Sequence, residues 1–117
     1  MESEAQQIAR AAAARLAAID NDPRLETDVS RQLDGPDGTV PQDYEPVSLA
    51  IASVVISAAT LAWTIYRDLR NDRKAINPDD IARRVRVQIA DQQPDLPTHD
   101  RNRIIDIVIE ETDRHQP

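Results

Sequence analysis

Apolar positions recur at helical spacing along most of this chain, and in one stretch they stop alternating with charge altogether. Residues 47–66 run for twenty positions without a charged side chain, in a chain of 117 residues that carries fourteen basic and twenty-one acidic groups. As a helix rising about 1.5 Å per residue, that run covers roughly 30 Å, the depth of a bilayer's hydrocarbon core. On its N-terminal side, Met1, Ala5, Ile8, Ala12, Leu16 and Ile19 fall on one face of a helix over 1–20. Asp20-Asn21-Asp22-Pro23 breaks that helix and restarts another, with Asp22 as cap and Pro23 in the first turn. Leu25, Val29 and Leu33 then repeat at i, i+4 and i+8, so residues 1–33 read as an amphipathic helical segment. Both glycines, Gly35 and Gly38, fall in 34–46, a linker.

Beyond the run, Asn77-Pro78-Asp79-Asp80 is a helix start: a capping side chain, a proline in the first turn, and acids near the positive end of the dipole. Ile81, Val85 and Ile89 make one face of that helix. Val85 to Ile89 also alternates as a strand would, but the cap and the break that follows favour helix. Gln93-Pro94-Asp95-Leu96-Pro97 is a tight connection, and Thr98 is placed to cap a last helix facing inward through Ile104, Ile105, Val108 and Ile109. Residues 78–115 thus read as an αα-hairpin. The expected fold is all-α: a single transmembrane helix over 47–70, an N-terminal amphipathic helical segment and a C-terminal αα-hairpin.

The aromatic and basic residues add direction to the run. The only aromatics are Tyr44, Trp63 and Tyr66, which border or lie within it, and Arg67, Arg70, Arg73 and Lys74 crowd behind it. An apolar span, an aromatic belt and a basic flank mark membrane-interface residues at both ends. Residues 67–86 hold seven basic groups, against Arg31 alone in the twenty residues before the run. The positive-inside rule then gives a single-pass protein of the cell membrane, its N-terminus outside and its C-terminus cytoplasmic. Met1-Glu2-Ser3-Glu4 is acidic where a secretory signal would be basic.

Within the run the hydroxyls share a face. Ser53, Ser57, Thr60 and Thr64 step by 4, 3 and 4, with Ala50 in the same register, and fill an arc of roughly 60° at about 100° per residue. In lipid such a stripe reads as a helix–helix seam, for self-association or for docking to another spanning protein. The competing reading makes 47–66 the buried central helix of a small soluble bundle, an interaction or regulatory module, with the hydroxyls as its water-facing edge. A third makes the chain a small pore-forming, holin-like protein whose stripe lines an oligomer.

Little else points to chemistry. Net charge is −7, which opposes nucleic-acid binding. There is no cysteine, and His99 and His115 lack companions at metal-ligand spacing. Asp79/Asp80 and Glu110/Glu111 are adjacent acids that read as solvated faces, and no phosphate loop, zincin motif or nucleophile elbow occurs. The expectation is a non-enzymatic accessory protein with no cofactor, no metal and no small-molecule substrate. Its expected partners are the lipid bilayer and either a second copy or another protein. For the basic cluster, topology and headgroup attraction compete with docking of an acidic partner segment. The abundance of Ala, Arg and Asp fits a GC-rich bacterial coding sequence.

Asp22-Pro23-Arg24-Leu25, the 47–66 run, and the exit from Trp63 to Arg70 together resemble bacterial effector-associated constant component proteins, short chains encoded beside predicted immunity effectors. The resemblance implies a single-span accessory role beside an effector. Two features depart from that pattern: the run is not glycine-rich, and the C-terminal hairpin is not part of it.

Overall fold

Ser3 starts the first helix. Its hydroxyl accepts the Gln6 amide at 3.2 Å while its own N–H donates to the Gln6 side chain at 3.0 Å, a reciprocal capping box. The computed structural model describes residues 3–21, 23–34, 46–94 and 96–115, which form five α-helices and, among themselves, no strand. These are α1 (Glu4–Asp20), α2 (Pro23–Asp34), α3 (Pro46–Asn71), α4 (Pro78–Gln92) and α5 (Thr98–Arg114). Met1, Asp22, Tyr44 and nearly all of the 34–46 linker lie outside the described residues, as does the side chain of Ala50.

Asn21 ends α1 in the left-handed region at φ 52°, its N–H donating to the Ala17 carbonyl. The end of α3 is a Schellman arrangement: Lys74 N–H donates to the Leu69 carbonyl at 2.9 Å and Arg73 N–H to the Arg70 carbonyl at 3.1 Å. This geometry requires positive φ at Arg73, observed at 57°, where glycine is the unstrained residue. Arg73→Gly is therefore expected to raise stability by about 1 kcal/mol, the usual penalty for a side chain in that region. A lower urea midpoint for the variant would show that the arginine side chain contributes more than its strain. Asn77 caps α4 by accepting the Asp79 amide at 3.0 Å, as its sequence position implies. Thr98 does not cap α5; it is the first helical residue, Pro97 precedes it without a side-chain cap, and Thr98 Oγ1 accepts from Arg101 at 3.5 Å.

α3 is the axis of the molecule. It packs against α1, α2, α4 and α5, and around it α2 meets α1, α1 meets α5, and α5 meets α4. The circle stops there, since α2 and α4 do not touch among the described residues. A helix of twenty-six residues is about 39 Å long, and it sits within a body of 46 × 33 × 24 Å. Val54, Val55, Ala58, Ala59 and Ala62 are buried along α3, and Ile8, Ala9, Ala12, Ala13 and Leu16 along α1. Alanine on both surfaces lets the two backbones approach closely, so the thin apolar stripe of α1 suits a helix partner better than a core. That stripe is wider than the i, i+4 spacing implied, because α1 touches three helices; Ile19, at its end, is 55% exposed. Ile81, Val85, Ile89, Ile104 and Val108 are buried, and α4 and α5 pack on each other and on α3.

The all-α class holds, but the transmembrane part of the expectation does not. Among the described residues no helix is long and apolar enough to cross a membrane. The apolar stretch of α3 is punctuated by Ser53, Ser57, Thr60 and Thr64 and runs into Arg67 and Asp68. Its apolar side is taken up by packing against four helices of the same chain. A single-pass placement in the cell membrane, with its N-out, C-in orientation, is overturned by the same finding, and the pore-forming reading, which needs a spanning helix, falls with it.

Candidate functional site

The unclosed circle leaves one side of α3 uncovered among the described residues. Thr60 and Thr64 are exposed on that side, with Ser53 and Ser57 half-buried beside them. Ser53 donates to the Gln32 side chain of α2 at 3.2 Å, and Thr60 donates to its own helix, at the Ile56 carbonyl, 2.9 Å away. Ile56, Leu61, Trp63 and Ile65 flank these hydroxyls, half-buried against the core. The edge is therefore a polar strip with apolar shoulders rather than a purely solvated face.

Following the edge toward the C-terminal end of α3, the character changes to aromatic and then basic. Trp63, Arg67 and Arg70 stand at i, i+4 and i+7, on one side of the helix. With Asn71, and with Ser3 and Glu4 from the start of α1, they line an open recess of about 520 Å³. Arg67 and Arg70 are exposed, and their side chains make no hydrogen bond or ion pair among the described residues. Trp63 lies with its ring centroid 5.1 Å from that of Tyr66, inclined at 37°. Tyr66 is itself 3% exposed, so it belongs to the core that supports Trp63. Arg73 and Lys74 are exposed beyond the helix end and do not line the recess.

Two other charged clusters have different roles. Arg15 on α1 reaches Glu110 at 2.6 Å and Glu111 at 3.2 Å on α5, and Arg114 also donates to Glu111 at 3.1 Å. Glu111 is 5% exposed, so this acid is a buried tie between the first and last helices rather than part of a solvated face. The hydrogen bond to Glu110 is the main cause that raises the Arg15 guanidinium above its already high ordinary value. A raised cation contributes below its unfolded value and is lost only as pH rises through the folded one, so Arg15 stays charged through the whole working range. At the start of α4, Asp79, Asp80, Arg83 and Arg86 face Asp106 and Glu110 across a second open groove, of about 860 Å³. Asp80 is paired there with Arg83 at 2.6 Å and Arg84 at 3.2 Å. Among the described residues no group of three or more His, Cys, Asp or Glu is placed to hold a metal ion. His99 is exposed, and His115 sits 2.9 Å from the Glu111 carbonyl.

Sequence spacing put the four hydroxyls on one face, but it grouped Trp63, Arg67 and Arg70 with Tyr66, Arg73 and Lys74 as membrane-interface residues and did not separate the three that line the recess. It missed Ser3 and Glu4, which are sixty residues away in the chain and reach the recess only because α1 runs back along α3. Comparison with known proteins returned no match, whether to a family model, a curated protein or a solved structure.

Proposed function

We propose that the chain is a helical interaction module, with α3 as its core helix and the open edge of α3 as the surface that a partner protein covers. The observation that carries this reading is that α3 packs against all four neighbours while, among the described residues, the circle around it stays open between α2 and α4. That opening exposes Thr60 and Thr64 between half-buried apolar side chains. Thr60 already bonds within its own helix and Ser53 bonds Gln32, so a docking helix that supplies polar partners to Ser57 and Thr64 buries this strip at low desolvation cost. The apolar faces of α4 and α5, Ile81, Val85, Ile89, Ile104 and Val108, are used internally.

A photo-crosslinking amino acid placed at Thr64 tests the assignment, with the same group at Val87 as control. Val87 is 66% exposed on α4 and is equally accessible to chance collisions. In cells producing the full chain, position 64 is expected to yield one discrete crosslinked species and position 87 none. Equal labelling at the two positions, or none at either, would remove the reading.

A further inference from the structure

The geometry points to the recess formed by Trp63, Arg67, Arg70 and the start of α1 as a receptor for carboxylates of an acidic, partly apolar segment of the partner protein. This inference rests on the interaction-module reading and names the partner's chemistry.

Four observations converge on it. First, the two guanidiniums are exposed and unpaired among the described residues, in a molecule where Arg15, Arg83, Arg84 and Arg114 all have carboxylate partners. A guanidinium is a planar fork that matches a carboxylate with two parallel hydrogen bonds, and it is only weakly hydrated, so it is readily desolvated at an interface. Second, the capping box occupies Ser3 and Gln6 with one another. The amides of Glu4 and Ala5, in the first turn of α1, lie outside the intrahelical ladder and add donors and a positive dipole end at the rim of the recess. Third, Trp63 supplies an aromatic wall continuous with Thr60 and Ile56 along the edge of α3. A ligand that follows this line meets apolar surface first and cations last. An amphipathic acidic segment has that order of chemistry, whereas a bare inorganic anion uses only one end of it. Fourth, the net charge of −7 disfavours a nucleic-acid polyanion, which needs many neutralising cations, whereas Arg67 and Arg70 act on a carboxylate at contact distance, well inside the Debye length.

Among the described residues Glu4 is the one acid lining the recess. It competes with an incoming carboxylate for the same two cations, which makes it a brake on binding. Neutralising it is expected to tighten the complex, an outcome that a purely structural role for this region does not produce.

Trp63 is the sole tryptophan of the chain, so its emission reports on this recess alone. The probe is a synthetic fourteen-residue peptide of alternating leucine and glutamate pairs, with a glutamine-for-glutamate version and inorganic phosphate as comparators. The glutamate peptide is expected to give a saturable change in emission that weakens with added salt. Arg67→Ala and Arg70→Ala should each weaken it by about tenfold or more, the loss of a charge-assisted hydrogen bond. Glu4→Gln should strengthen it several-fold, with the helical circular dichroism of all three variants unchanged. Equal binding of the glutamate and glutamine peptides, equal competition by phosphate, or no saturable change at all would overturn the assignment. If the Thr64 crosslink persists at full yield in the Arg67→Ala, Arg70→Ala double variant, the module stands and the acidic partner does not.

Discussion

Aspartate in place of Val55 is expected to abolish folding, whereas arginine in place of Thr64 leaves stability within about 0.5 kcal/mol of the parent. Both positions lie in the same uncharged run, nine residues apart, and hydropathy treats them alike. The packing does not: Val55 is wholly enclosed and Thr64 is exposed on the uncovered side of α3. Among the described residues no buried cation is present to pair with a carboxylate at 55, and burying it costs several kcal/mol. Domains of this size are stable by only about 5–15 kcal/mol in total, so that cost consumes most of the margin. The side chain of an arginine at 64, by contrast, extends along the edge with its head in water. Chemical denaturation followed by circular dichroism distinguishes the two. In a lipid-spanning helix a charge at 55, near the centre, would be costly as well, whereas an arginine at 64, near the end of the run, would reach the interface. Comparable damage from both substitutions would count against the arrangement described above.

That contrast also explains which parts of the structure were legible in the sequence. The helix start at Asn77 follows from local hydrogen-bonding chemistry that needs no tertiary context, and the inward faces of α4 and α5 follow from spacing alone; the Ser3 capping box went unread, the first helix being expected from residue 1. The environment of α3 was not legible in the same way. A helix apolar on most of its surface must be covered, but hydropathy does not say whether lipid tails or alanine-rich helices of the same chain do the covering. The decisive quantity is long-range: whether α1, α2, α4 and α5 together reach around α3, which among the described residues they do on all but one side. The hydroxyl arc carried more information than the length of the run, because it marked the side of α3 that the structure leaves uncovered. Trp63, Arg67 and Arg70 were readable only as part of an aromatic and basic exit shared with Tyr66, Arg73 and Lys74, and the recess they form with Ser3 and Glu4 depends on the antiparallel return of α1. The same limit applies to Glu111: beside Glu110 it looks like a solvated acid, and only the docking of α1 buries it against Arg15.

Alanine in place of Asp28 is expected to stabilise the protein by about 1–3 kcal/mol, the cost of a buried polar group left without a partner. Asp28 is 2% exposed, on the face of α2 that also buries Leu25 and Val29, and its Oδ2 finds no hydrogen-bond partner among the described residues. Its position in α2 offers little compensation, because the sixth residue of a helix is past the first turn, where an acid gains from the dipole. Alanine is also the better helix former, worth up to about 0.7 kcal/mol more. Against these gains stands only a small cavity, since the side chain removed is short. A melting temperature several degrees higher is the expected readout, at about 2–8 °C per kcal/mol for a domain of this size. Asp28→Asn separates charge from polarity: it removes the desolvated charge but leaves a buried amide to satisfy, so its gain should be the smaller of the two. If alanine instead lowers the melting temperature, the carboxylate has a stabilising partner, and the α1–α2–α3 junction is where that partner must be sought. A gain from alanine would mean that α2 is held in the bundle by Leu25 and Val29, against the opposition of the acid between them.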